Sequence, residues 1–61
     1  MKIRAIRENR RIGQRDLAKK LKMSQSYLSN LEGGKVNVSL YTLRRIAQAL
    51  NVRVVDLLAD E

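Results

Sequence analysis

Apolar residues recur at helical spacing along almost the whole of this 61-residue chain, in short segments separated by brief loops. The chain contains no Pro and only three Gly, so few residues interrupt the helical pattern. The stretch that most resembles a strand, residues 35–38 (Lys-Val-Asn-Val), is too short and has no partner, so we expect a loop there. The spacing predicts an all-α fold with five short helices, near residues 2–10, 14–21, 25–32, 40–50 and 54–59.

Residues that favour helix ends mark most of these boundaries. Gly13, Ser24 and Ser39 are the predicted N-caps of the second, third and fourth helices. Gly33 and Asn51 are predicted to end the third and fourth helices, because both residue types tolerate the left-handed backbone conformation. The predicted inward-facing positions of the three middle helices are Leu17, Ala18, Leu21, Leu28, Leu31, Leu40, Leu43, Ile46, Ala47 and Leu50.

The length allows a single small domain, spanning residues 1–61, with little room for a deep pocket. No Cys or His is present, which excludes disulfides, zinc sites of the usual kind, thiol chemistry and imidazole acid–base catalysis. The carboxylates are scattered along the chain, and no serine has a candidate base. We therefore expect no enzymatic activity, no metal, no cofactor and no small-molecule ligand.

Basic residues outnumber acidic ones, and the excess lies in one half of the chain. Thirteen Lys and Arg against six Asp and Glu give a net charge of +7. Residues 1–35 hold ten bases and three acids, whereas residues 36–61 hold three of each. Charge concentrated in this way is typical of a surface that meets a nucleic acid. The alternative is surplus charge that merely keeps a small protein in solution.

No apolar run approaches the roughly 18 residues of a membrane span, and the charged N-terminus lacks the apolar stretch of a signal peptide. We expect a cytoplasmic protein without a membrane partner. A protein-interaction or membrane-surface module built on the basic helices is the rival from another class. The lack of Trp and Phe argues against the membrane surface.

The second and third predicted helices are joined by only Lys22, Met23 and Ser24, which is the arrangement of a helix-turn-helix. The outward positions of the third helix carry neutral side chains that both donate and accept hydrogen bonds: Gln25, Ser26, Ser29 and Asn30. Such side chains read base edges in the major groove, whereas a merely solvated face more often carries Glu–Lys pairs.

Residues along nearly the whole chain match one family in their order and spacing. In the first half they are Gln14-Arg15-Asp16-Leu17-Ala18, Ser24-Gln25 through Leu28, Leu31-Glu32 and Gly34-Lys35. In the second half they are Ser39-Leu40, Leu43, Ile46-Ala47, Ala49-Leu50 and Val52 through Leu57-Leu58. On these residues the sequence resembles the lambda-repressor-like (Cro/CI, or XRE-type) helix-turn-helix family. The family implies a compact five-helix DNA-binding domain of phage or bacterial regulators that docks as a dimer on a palindromic operator.

The resemblance implies roles for individual residues. The base-reading set would be Gln25, Ser26, Ser29 and Asn30. The phosphate-binding set would be Gln14, Arg15, Lys22, Ser24, Tyr27, Gly34 and Lys35. The backbone amides around Gly34 are expected to be free to meet a phosphate. Arg7 and Glu32 would form a structural ion pair between the first and third helices, which makes a carboxylate tolerable at a helix C-terminus.

Four positions depart from the family pattern. Lys22 stands where the turn usually has a Gly; it either adds a phosphate contact or marks a tolerated strain or an altered turn. Arg11 replaces another common Gly and is expected to extend the first helix. The loop at residues 37–39 lacks a frequent Pro, which leaves its conformation open. Arg53 replaces the usual Ser or Thr cap, so we expect the last helix to fray.

The chain is too short for a separate oligomerisation domain, so we expect homodimer contacts from Val54, Val55 and Leu58 in the last helix. The alternative is that all three residues belong to the core. The function we predict is that of a repressor-type transcriptional regulator that binds double-stranded DNA sequence-specifically. The alternative within DNA binding is an antitoxin or restriction-modification controller that uses the same domain.

Overall fold

The computed structural model describes residues 1–58; Ala59, the last residue of the fifth predicted helix, lies outside them. Within the described residues the chain forms five α-helices and no strand. The helices are α1 (Ile3–Asn9), α2 (Gln14–Leu21), α3 (Gln25–Glu32), α4 (Leu40–Leu50) and α5 (Val54–Leu58). The predicted all-α fold is therefore confirmed, and so is the loop at residues 35–38.

One hydrophobic core joins the helices, and every helix contributes at least one buried side chain to it. The largest fully buried side chains are Ile3, Leu17, Leu28, Leu31, Ile46, Leu50 and Leu57. Ala18 is also buried, and its small side chain lets α2 and α3 pack closely. The N–H of Lys2 donates to the carbonyl of Leu57 at 2.9 Å, which ties the start of the chain to α5.

The prediction that Leu40 faces the core is wrong, because its side chain is 55% exposed. The first buried residue of α4 is Leu43, so the core covers this helix only from the end of its first turn. Periodicity alone does not show where along a stripe the packing partners begin.

The predicted N-caps are confirmed. The Ser24 hydroxyl accepts a hydrogen bond from the Tyr27 N–H at 3.0 Å, and the Ser39 hydroxyl accepts one from the Thr42 N–H at 3.1 Å. Each cap satisfies one of the amide groups that the first turn of a helix leaves without a partner. Gly13 caps α2 with an extended backbone and no side-chain bond.

The first four helices end in the same way. In each, a residue in the left-handed conformation reverses the chain, and the next N–H donates to the carbonyl five residues earlier, as in a Schellman motif. These bonds run from Ile12 to Arg7, Met23 to Ala18, Lys35 to Asn30 and Val52 to Ala47, at 2.9–3.1 Å. The left-handed residues are Arg11, Lys22, Gly34 and Asn51, and Asn51 was predicted as such.

Two predicted helix ends need correction. Gly33, the C-cap of α3, has a φ of −82° and stays right-handed, and the chain reverses one residue later at Gly34, which has a φ of +74°. Arg11 does not extend α1; with a φ of 59° it turns the chain so that the following Ile12 packs against the core.

Lys22 adopts the left-handed conformation, with a φ of 58°. Of the two structural alternatives for this position, this excludes an altered turn and leaves a strained left-handed lysine.

The N-terminus of α5 has a cap that was not predicted from the sequence. The Asp56 carboxylate accepts a hydrogen bond from the Arg53 N–H at 3.0 Å and also faces the Arg53 guanidinium. The backbone hydrogen bond is the main reason that the pKa of Asp56 is lowered from its ordinary value. The missing Ser or Thr at position 53 is thus replaced by a carboxylate three residues later, as in half of a capping box.

We expect Lys22→Gly to raise the free energy of unfolding by about 1 kcal/mol, because glycine adopts a positive φ without a Cβ clash. The matched control is Lys20→Gly, which removes the same charge from an exposed position inside α2. That change should lower the free energy of unfolding by about 1 kcal/mol. Urea unfolding measures both values. Equal destabilisation by the two variants would show that Lys22 carries no backbone strain.

Candidate nucleic-acid interface

The outer face of α3 presents a continuous set of neutral polar side chains. Leu28 and Leu31 anchor the inner face of this helix in the core. The helix period then turns the opposite side of α3 outward. All four side chains that were expected to read bases are exposed there: Gln25, Ser26, Ser29 and Asn30.

A chain of hydrogen bonds connects this face to the interior. The amide nitrogen of Gln25 donates to the amide oxygen of Gln14 at 3.2 Å. The amide nitrogen of Gln14 in turn donates to Oε1 of Glu32 at 3.0 Å. Glu32 receives two further hydrogen bonds from Arg7, to Oε2 at 2.6 Å and to Oε1 at 3.1 Å. The guanidinium also donates to the carbonyl of Ile12 at 2.8 Å.

The ion pair between Arg7 and Glu32 is buried. The two side chains are only 8% and 2% exposed. The hydrogen bond to Glu32 raises the pKa of the Arg7 guanidinium, which therefore stays charged. Every buried side-chain nitrogen or oxygen among the described residues has a hydrogen-bond partner. Complete pairing of this kind is the condition under which a buried charge pair is tolerated.

The residues expected to bind phosphates lie around α3, most of them on exposed positions. Arg15 and Lys35 carry exposed charges, at the start of α2 and just after α3. Tyr27 is 41% exposed in the first turn of α3. Gln14 is half-buried, and the Ser24 hydroxyl accepts the capping bond while its own proton remains available to a ligand. Lys22 is exposed in the turn between α2 and α3.

The expectation of free backbone amides around Gly34 is wrong. The N–H groups of Gly33, Gly34 and Lys35 donate to the carbonyls of Ser29, Leu31 and Asn30 at 2.9–3.1 Å. All three N–H groups are therefore occupied by the hydrogen bonds that end α3. Gly34 therefore shapes the turn, and its own amide is not open to an anion.

Two side-chain hydrogen bonds that hold the candidate interface in place could not be predicted from the sequence pattern. Arg45 of α4 donates to the carbonyl of Leu21 at 2.6 Å, which satisfies one carbonyl at the end of α2 and places a positive charge there. The Gln14–Glu32 bond links residues 18 positions apart. Both depend on the packing of one helix on another.

The three residues expected in a dimer contact differ in exposure. Val55 and Leu58 are 58% and 51% exposed. Val54 is half-buried and packs against the core. Leu57 fills the core from the same helix. One side of α5 therefore leaves apolar surface open, and Val54 lies at its inner edge.

The described part of the chain offers nothing that resembles a metal centre or a membrane segment. Within residues 1–58 no three His, Cys, Asp or Glu side chains are grouped so that they could hold a metal ion. No helix in that part is long and apolar enough to cross a bilayer.

A family model described as helix-turn-helix matches residues 3–57 of the chain. The chain is 40% identical over 60 residues to the immunity repressor protein of Bacillus phage phi105, a match that covers 98% of this chain and 42% of that protein. It is 39% identical over 57 residues to the HTH-type transcriptional regulator DdrOP3 of Deinococcus deserti, covering 93% of this chain and 44% of that protein. The chain thus spans less than half the length of these relatives.

Solved structures of similar chains include the clp gene regulator ClgR from Corynebacterium glutamicum. Two crystal structures of that regulator each superpose with a TM-score of 0.87 at 36% sequence identity. Each match covers 92% of this chain. The two matches cover 73% and 60% of the regulator's chain, respectively.

We expect Glu32→Ala to lower the free energy of unfolding by about 3 kcal/mol, because it leaves the Arg7 guanidinium buried without its partner. The double variant Arg7→Met with Glu32→Leu should recover much of that loss. Glu8→Ala is the control, since Glu8 pairs with Arg4 on the surface, where an ion pair contributes about 0–1 kcal/mol. Thermal and urea unfolding measure all three. An unchanged midpoint for Glu32→Ala would contradict a structural role for the pair.

Proposed function

This chain belongs to the Cro/CI-type helix-turn-helix family, and we propose that residues 1–61 act as one DNA-binding domain of a repressor-type transcriptional regulator. The partner is double-stranded DNA, bound sequence-specifically at an operator, and regulation follows from occupying that site rather than from chemistry. Such a regulator works in the cytoplasm, on the nucleoid of a bacterium or on phage DNA. The immunity repressor and the transcriptional regulator among its relatives support this proposal.

The observation that carries the proposal is the exposed neutral face of α3. An α-helix fits the major groove, and amide and hydroxyl side chains near its N-terminus can pair with base edges. Gln25 lies in the first turn of α3, and Asn30, five residues later, lies at the opposite edge of the exposed surface, with Ser26 and Ser29 between them. We assign base contacts to these two residues and to Ser26 and Ser29.

Phosphate contacts would come from the residues that surround this face. The side chains in this set are Gln14, Arg15, Lys22, Ser24, Tyr27 and Lys35. We assign the backbone contacts to phosphate to the amides of residues 36–38 and no longer to those around Gly34. The amides of residues 36–38 make no backbone hydrogen bond to another described residue. These contacts supply most of the affinity and none of the sequence preference.

A homodimer on a palindromic site is the form that we propose on DNA. Val55 and Leu58 leave apolar surface open on α5, and a second copy of α5 would cover it. Val54 would contribute at its edge. A two-fold dimer would present two copies of α3 to successive major grooves.

Truncating Gln25 to Ala should weaken binding to the preferred operator by about 1–3 kcal/mol and relax the preference at one base pair per half-site. The side chain is uncharged, so binding to random duplex DNA and the salt dependence should barely change. Selection of bound duplexes from a random pool identifies the operator, and titration of labelled duplexes measures the affinities.

The matched control is Lys35→Ala. It should weaken operator and random DNA alike and reduce the slope of log affinity against log salt by about one unit. The reader would not be α3 if Gln25→Ala kept full operator affinity while Lys35→Ala lost discrimination.

The dimer should protect two half-sites spaced by about 10–10.5 base pairs or a multiple of that distance. With roughly six to ten phosphates neutralised, the salt slope should be about −5 to −9. Footprinting and mobility-shift titrations at several salt concentrations measure both. A slope near zero would instead favour a protein-interaction module.

Leu58→Asp should abolish cooperative occupation of the two half-sites, because it places a charge in the proposed contact. Gln48→Asp adds the same charge to an exposed position of α4 and should leave cooperativity intact. Equal effects of the two variants would argue against a contact through α5.

A further inference from the structure

We propose that Glu32 is a positioning residue for base recognition: through Gln14 it fixes which way the Gln25 amide points, and so favours adenine over guanine. The inference rests on the proposed function of α3 as the reader. The interior of the domain thus acts on a base contact that it does not itself make.

The Glu32 carboxylate can only accept hydrogen bonds. A carboxylate cannot donate a hydrogen bond, and the Arg7 guanidinium cannot accept one. Oε1 of Glu32 accepts from Arg7 at 3.1 Å and can only accept from Gln14 as well, so it selects the amide nitrogen of Gln14, which lies 3.0 Å away. If the Gln14 amide turned over, two oxygens would face each other at a carboxylate that is only 2% exposed. Burial makes that arrangement costly, because water cannot take the place of the lost donor.

Gln14 transmits this orientation outward to Gln25. With its nitrogen committed to Glu32, Gln14 presents its amide oxygen to Gln25 and accepts from the Gln25 amide nitrogen at 3.2 Å. One N–H of the Gln25 amide is used in this bond. The amide oxygen and the second N–H remain for a ligand, so Gln25 offers one acceptor and one donor.

The donor and acceptor that Gln25 offers match adenine better than guanine. Adenine presents a donor at N6 and an acceptor at N7, which pair with one acceptor and one donor. Guanine presents two acceptors, O6 and N7, and needs two donors. A Gln25 amide turned over would offer two N–H groups and suit guanine, but that state requires Gln14 to turn over as well. Glu32 opposes this, so the buried carboxylate sets the preference at the base.

Glu32→Gln tests the inference, because a neutral amide of the same shape can donate as well as accept. The probes are duplexes selected from a random pool by the unaltered protein, and the same duplexes with A·T replaced by G·C at the base pair that Gln25→Ala identifies. The unaltered protein should prefer adenine by about 5- to 150-fold, the range of one bidentate contact. Glu32→Gln should lose most of that preference or shift it towards guanine.

Glu8→Gln is the matched control, since it removes the same charge from an exposed ion pair of α1 and should keep the adenine preference. Gln14→Met is the second variant. It interrupts the chain of hydrogen bonds while leaving the Arg7–Glu32 pair intact, so it decides the matter if Glu32→Gln does not fold. It should also lower the adenine-to-guanine ratio. In the Gln25→Ala background, Glu32→Gln should cause no further loss of discrimination.

An unchanged adenine-to-guanine ratio in folded Glu32→Gln or in Gln14→Met would overturn the inference and leave the proposed function standing. An equal loss of affinity for operator and random duplex, with the ratio preserved, would also overturn it, since that is the effect of a purely structural residue. If Gln25→Ala relaxed no base pair at all, the assignment of α3 as reader would fail, and the inference with it.

Discussion

The buried ion pair between Arg7 and Glu32 is the interaction on which the arrangement of the first three helices depends. It joins α1 to the end of α3, and it reaches the start of α2 through the Ile12 carbonyl and the Gln14 amide. Removing two charges from water costs several kcal/mol per ion, which is offset only when each group is fully hydrogen-bonded. That requirement admits few relative positions of the helices. An apolar pair could stabilise the domain as well, but it would not define the positions of Gln14 and Gln25 so narrowly.

A domain of this size reaches a defined shape through its helix ends as much as through its core. Four of the helices stop at a left-handed residue, and three of these residues have a side chain: Arg11, Lys22 and Asn51. The residues that follow these three are apolar and partly buried against the core. Each reversal therefore turns one more side chain inward, where a chain of 61 residues has little other apolar surface to use. The strain at Lys22 accompanies a short turn that brings α3 directly onto α2.

Much of the fold could be predicted from the sequence because helix boundaries are local. Apolar spacing and the caps at Ser24 and Ser39 fixed the middle helices to the residue. The predictions were wrong where packing against residues distant in the sequence determines the burial or the backbone conformation. Leu40 continues the apolar stripe but lies beyond the core, and Arg11 is turned by the packing of Ile12 rather than by its own preference. At the candidate site, the residue types were readable from spacing and family resemblance. The hydrogen bonds that link those residues were not, since they join positions up to 25 apart.

Basic residues surround the neutral outer face of α3, and this separation determines how substitutions would change the base preference of such a domain. In the proposed complex, phosphate contacts from side chains such as Lys35 would set the affinity and its salt dependence. The outer face of α3 carries no charge at its four proposed readers, so substitutions there alter discrimination with little effect on the electrostatic attraction to DNA. Gln25 differs from the other readers because it is hydrogen-bonded to Gln14 and through it to a buried carboxylate. If Gln25 contacts a base as proposed, a new preference there would require a compatible partner in the interior, whereas the proposed contacts of Ser26, Ser29 and Asn30 could change alone.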